Sequence, residues 1–97
     1  MTKRGEGMFY PYCTIGEFTE VCNSPIDENG ETTVHIETPD EKFGFKTYEC
    51  VLPSYRRVKC IGFDENEQQT LLDFCRRNAA LILESAKRGG LDRAYDI

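Results

Sequence analysis

The stretch that most constrains the fold is Asp64 to Arg88, DENEQQTLLDFCRRNAALILESAKR. Leu71, Phe74, Cys75, Asn78, Leu81, Ile82 and Ser85 recur at three- and four-residue steps. That spacing gathers them on one face of a 3.6-residue helix. Leu72, Ala79 and Ala80 widen the stripe. Asp64 suits the N-cap, where a carboxylate accepts from the orphan amides of the first turn, and Glu67 three residues later completes a capping box. Glu65 and Glu67 meet the positive end of the helix dipole, and Lys87 and Arg88 the negative end. Gly89 and Gly90 can take the left-handed conformation that ends a helix. Such a helix is stable only when its apolar face is packed, so the preceding residues must supply the partner.

Those residues read as short strands. CTIGEFTEVC, Cys13 to Cys22, is expected to be a first strand, with Gly16 a bulge or bend that resets its alternation. Upstream, Met8, Phe9, Tyr10 and Tyr12 surround Pro11 and predict an edge segment or an arm packed on the domain, since Pro11 has no amide to donate. Asn29-Gly30 is the strongest hairpin signal in the chain. Glu31 to Thr38 alternates most cleanly, with Thr32, Val34 and Ile36 on one face and Thr33, His35 and Glu37 on the other. In the third strand, Lys42 to Leu52, both faces are partly apolar, which leaves the inward face open and suits either a central strand or a dimer contact. Tyr55 to Ile61 is the fourth, with Val58 and Cys60 expected to meet the helix. The expected fold is α+β, a four-stranded antiparallel sheet followed by one long C-terminal helix on one face, in the order ββββα. Residues 1–97 are expected to form a single small domain, with 1–7 a flexible leader and 91–97 a tail that docks or frays. A single covering helix leaves the other sheet face exposed, and a homodimer is one way to bury it.

Charge is laid out in blocks. From Cys13 to Asp40 there are seven acids and no Lys or Arg; from Glu41 to Gly62 there are five bases against two acids; the whole chain carries −5. That balance disfavours a general nucleic-acid binder. The blocks suit neighbouring strands that pair across the sheet, or an acidic surface turned to a partner. No run approaches the length of a membrane span, and the basic N-terminus is followed by no apolar signal region. The five cysteines are odd in number and show no CxxC or CxxH spacing. They read as reduced, structural thiols in a cytoplasmic protein rather than a zinc site or a disulfide framework.

No catalytic constellation emerges. His35 is the only histidine, and without a nucleophile motif it reads as a solvated or sheet-surface residue. Asp64, Glu65 and Glu67 are accounted for by capping. No GxGxxG, GxxxxGK[ST] or HExxH occurs, and no cofactor or metal is implied.

The segments YPYCTIGEFTEV (Tyr10 to Val21), CVLPSYRRV (Cys50 to Val58) and GFDENE (Gly62 to Glu67) resemble small uncharacterised proteins of bacterial and mobile-element genomes. The resemblance implies a bacterial or phage-related cytoplasmic setting. It brings no activity and no site residue. The expected function is a non-enzymatic protein-binding or regulatory module, in one concrete form an acidic inhibitor of a nucleic-acid-handling protein. Its candidate contact residues are Glu17, Glu20, Glu37, Tyr48, Arg56, Arg57 and Lys59. The alternatives are a weak single-stranded nucleic-acid binder through Arg56, Arg57 and Lys59, and a small enzyme pairing a thiol with His35.

Overall fold

A computed structural model describes residues 9–89. Five strands, β1 (Tyr10–Ile15), β2 (Thr19–Asn23), β3 (Thr32–Asp40), β4 (Gly44–Leu52) and β5 (Arg56–Ile61), precede a 24-residue helix, α1 (Glu65–Arg88). The strands form one antiparallel meander in sequence order, β1-β2-β3-β4-β5. The α+β class and the single C-terminal helix stand, but the sheet has five strands rather than four. The difference lies in Cys13–Cys22, which is a hairpin and not one strand. Gly16 adopts a left-handed φ of 67° and the chain reverses through Glu17 and Phe18, so that Ile15 faces Thr19. The broken alternation between Ile15 and Phe18 marks a reversal of direction. The bulge in this hairpin lies further upstream, between Pro11 and Cys13, and Pro11 sits on an edge strand, where its missing amide costs no ladder bond.

The helix covers one side of the sheet. Val21, Val34, Ile36, Tyr48, Cys50 and Leu52 from β2, β3 and β4 pack against Leu71, Cys75 and Ile82 of α1. Val34, Ile36, Cys50, Leu52, Cys75 and Ile82 are fully buried. In β4, the inward residues are thus Tyr48, Cys50 and Leu52. Leu81, expected on the buried face, is exposed, whereas Ala86 is buried. Leu81 lies at the edge of the stripe through Leu71, Cys75 and Ile82, about 100° of rotation from Ile82, whereas Ala86 follows Ile82 by four residues on the same face.

Both helix ends are fixed. Asp64 and Glu67 form the expected capping box, and Gly89 is the left-handed C-cap. Glu67 also accepts from Lys46 Nζ of β4 at 3.1 Å. At the far end Ser85 Oγ donates to Asn23 Oδ1 at 3.2 Å, a bond between two fully buried side chains, and Ile26 N donates to Ala86 O. Tyr12 Oη donates to Asn78 Oδ1 at 2.9 Å, which ties edge strand β1 to the middle of the helix. Among the described residues no helix is long and apolar enough to cross a membrane. The expected leader, 1–7, and tail, 91–97, lie outside the described residues.

Candidate functional site

Strand pairing gathers the acidic block on the side of the sheet that α1 does not cover. Alternation in β3 sends Val34 and Ile36 to the helix and His35 and Glu37 the other way. Glu20 of β2 is the cross-strand partner of Glu37, Cys22 of His35, and His35 in turn faces Glu49 of β4. Lys59 of β5 stands across from Glu49. A directly opposed pair of carboxylates such as Glu20 and Glu37 destabilises a sheet. Glu20 has no ion-pair partner among the described residues.

His35 is clamped between two acids. Its Nδ1 lies 2.6 Å from Glu49 Oε2 and its Nε2 lies 2.8 Å from Glu37 Oε1. The Phe9 ring tilts over the imidazole, centroid to centroid 5.6 Å. A neutral imidazole has one N–H donor, so two carboxylate partners are both satisfied only by the imidazolium. Burial by itself lowers the pKa of His35, but the hydrogen bonds to Glu37 and Glu49 outweigh it and raise the value above the ordinary 6.5. The clamp was not foreseen from the sequence. His35 and Glu37, two residues apart on a strand, share a face by rule, whereas Glu49 joins them only through the β3–β4 register.

Cys22 lies beside this cluster, but its thiol bonds the His35 carbonyl oxygen (3.8 Å) and not the ring. Burial, and then Glu37, Glu20 and Glu49, push its pKa up to about 11. Nucleophilic cysteines need the opposite environment. The five cysteines are free, and Cys50 and Cys75 meet across the core with their sulfurs 3.7 Å apart. The Cys75 thiol is pushed up by its hydrogen bond with Cys50 and by burial. Among the described residues no group of three or more His, Cys, Asp or Glu side chains has the arrangement of a metal site.

The seven candidate contact residues divide between the two sides. Glu20 and Glu37 lie on the uncovered side, with Glu17 at the β1–β2 tip and Arg56 and Lys59 on edge strand β5. Tyr48 faces the helix and is 3% exposed. Arg57 also faces the helix side, because a bulge shifts the register so that Lys59 pairs with Glu49 but Arg57 pairs with Cys50. The same bulge leaves Val58 without a partner and 51% exposed, not against the helix as its alternation suggests. Cys60 does pack against the core.

Two concavities adjoin these residues. A hollow of about 400 Å³ lies beside β1 and β2, with Phe9, Pro11, Glu20 and Cys22 in its wall. A groove of about 660 Å³ runs between β4, β5 and the first turns of α1. Comparison with known proteins yields no relative: no family model, curated protein or solved structure matches the chain.

Proposed function

We propose that the protein is a non-enzymatic binding or regulatory module that engages a basic protein surface through the uncovered side of its sheet. The observation that supports this reading is the opposition of Glu20 and Glu37 across β2 and β3, with Glu49 one strand further on. Placing like charges face to face costs stability and gives the fold nothing in return. Such a cost is commonly met at recognition surfaces. The occupant that fits is a Lys or Arg side chain of a partner. Its aliphatic stem lies against Phe9 and Pro11 in the hollow while its charged head meets Glu20. With the resemblance to mobile-element proteins, the concrete form of the reading is a cytoplasmic inhibitor whose acidic face occupies the basic channel of a nucleic-acid-handling protein.

The test is capture of partners on the immobilised protein at rising ionic strength. Basic proteins are expected to be retained at low salt, released by about 0.5 M salt as exposed charges are screened, and displaced by single-stranded oligonucleotide. A retained set indifferent to both salt and oligonucleotide contradicts the reading. A second reading, self-association, has its own support: Phe45 and Ile61, both on the uncovered side, are 51% and 43% exposed. It predicts a mass in solution that doubles with concentration and reverts in Phe45→Ser.

A further inference from the structure

Three departures from local rules converge on the groove between β4, β5 and α1. The first is Tyr48. Its side chain is 3% exposed and lines the groove, yet its hydroxyl makes no hydrogen bond among the described residues. Buried tyrosine hydroxyls usually find a partner, and a buried polar group left without one calls for an explanation. The second is the β5 bulge. An unbroken register would carry Arg57 to the uncovered side opposite Val51, whereas the bulge re-aims it into the groove. There one guanidinium nitrogen donates to Gln68 Oε1 at 2.7 Å, which leaves the other donors available. The third is Tyr55, a non-glycine residue at φ 66°, in a conformation that costs energy and persists only where the surroundings enforce it. Its backbone amide is held by Val51 O at 2.7 Å, and its ring lies under the Arg76 guanidinium at 5.7 Å, so it forms a fixed aromatic wall.

We propose that this groove binds a small aromatic oxyanion, a carboxylate or phosphate carried on a single ring, with Arg57 and Tyr48 donating to the anion and Tyr55 packing against the ring. The volume, about 660 Å³, lies within the range of small-ligand pockets. Leu72 supplies an apolar floor, and Glu65, which also lines the groove, disfavours a polyanion such as a nucleic-acid backbone. Burial pushes the Tyr48 pKa up to about 12, with Arg57 opposing, so the phenol stays a neutral donor at physiological pH.

The experiment is an amide-resolved NMR titration of the full chain with benzoate, phenyl phosphate and cyclohexanecarboxylate. Saturable shifts are expected around Tyr55–Arg57 and Gln68–Leu72 with at least one aromatic probe, and whichever of the two binds more tightly identifies the anion. The cyclohexyl probe should bind several-fold more weakly. Arg57→Gln should weaken binding by about tenfold or more, the scale of a charge-assisted bond. Tyr48→Phe should weaken it several-fold while melting no earlier than the wild type, because the hydroxyl it removes has no hydrogen-bond partner among the described residues. Absence of saturable shifts with both aromatic probes up to roughly 10 mM, the weak end of specific affinity, overturns the proposal. Equal binding in Arg57→Gln, or tighter binding of a single-stranded oligonucleotide at the same residues, overturns it as well.

Discussion

The two sides of this sheet are built from alternate residues of the same strands, yet they follow different rules. On the helix side of β3, Val34 and Ile36 are fully buried and meet Ile82 and Cys75 in a closed apolar core. One residue away on the other side, His35 and Glu37 join Glu49 in a half-buried ionic cluster. The helix side is closed by the chain's own apolar residues, apart from the groove beside Tyr48 and Arg57. The open side keeps charges that the chain leaves partly unanswered. A period-two pattern assigns residues to sides, and the chemistry of each side then shows what it is for.

The largest effect that would sharpen the contrast is in the core. Ile36→Ala or Ile82→Ala should cost about 2–5 kcal/mol, since each removes fully buried methyl groups and leaves a cavity. Urea unfolding followed by circular dichroism measures this. A loss of the same size from Phe45→Ser would erase the distinction between the sides, because Phe45 is half exposed.

Next in size is the ionic clamp. Glu49→Gln should cost about 1.5–3 kcal/mol at pH 6, the range for a hydrogen bond to a charged group. The sign of the pH dependence follows from the raised pKa of His35. A raised pKa in the folded state means that the contribution is fully present below the unfolded value, ordinarily 6.5, and is lost as pH rises through the folded value. Stability measured from pH 5.5 to 8.5 should therefore decline over that window in the wild type and much less so in His35→Gln. An identical decline in the variant would remove His35 from the account.

A smaller effect is expected at two turns that frame the sheet. Gly62 has φ 88°, and a Cβ there would stand 2.7 Å from Lys46 Cγ; Gly16 has φ 67° with nothing nearby. Gly16→Ala should cost about 1–2 kcal/mol, the conformational penalty alone, and Gly62→Ala somewhat more. Thermal melts of the pair measure the difference. The smallest effect should come from Asp64→Ala, about 1 kcal/mol for the lost cap.

The helix was legible because its signals are local: caps at both ends and an apolar stripe between them. The β3 faces were legible for the same reason. The first hairpin was not, because one glycine serves a bulge and a tight reversal equally well, and Gly16 gives no sign of which. The inward face of β4 stayed open because the uncovered side also buries residues: Thr47 and Val51 are 8% and 6% exposed. The position of Arg57 depends on a bulge that no residue type announces, and Glu49 reaches His35 only through pairing register. Of the candidate contact residues, Glu20 meets Glu37 through the β2–β3 register, as Glu49 meets His35 through that of β3 and β4, whereas Tyr48 and Arg57 fall on the helix side.

The most direct test of the division between the sides is the double variant Glu17→Lys, Glu20→Lys, measured for stability and for partner capture in the same preparation. Neither side chain makes a hydrogen bond or ion pair among the described residues, and removing Glu20 relieves its opposition to Glu37. The double variant should melt at or slightly above the wild-type temperature and lose the salt-sensitive basic partner. Undiminished capture of the same partner by a variant that folds as well as the wild type would contradict that division.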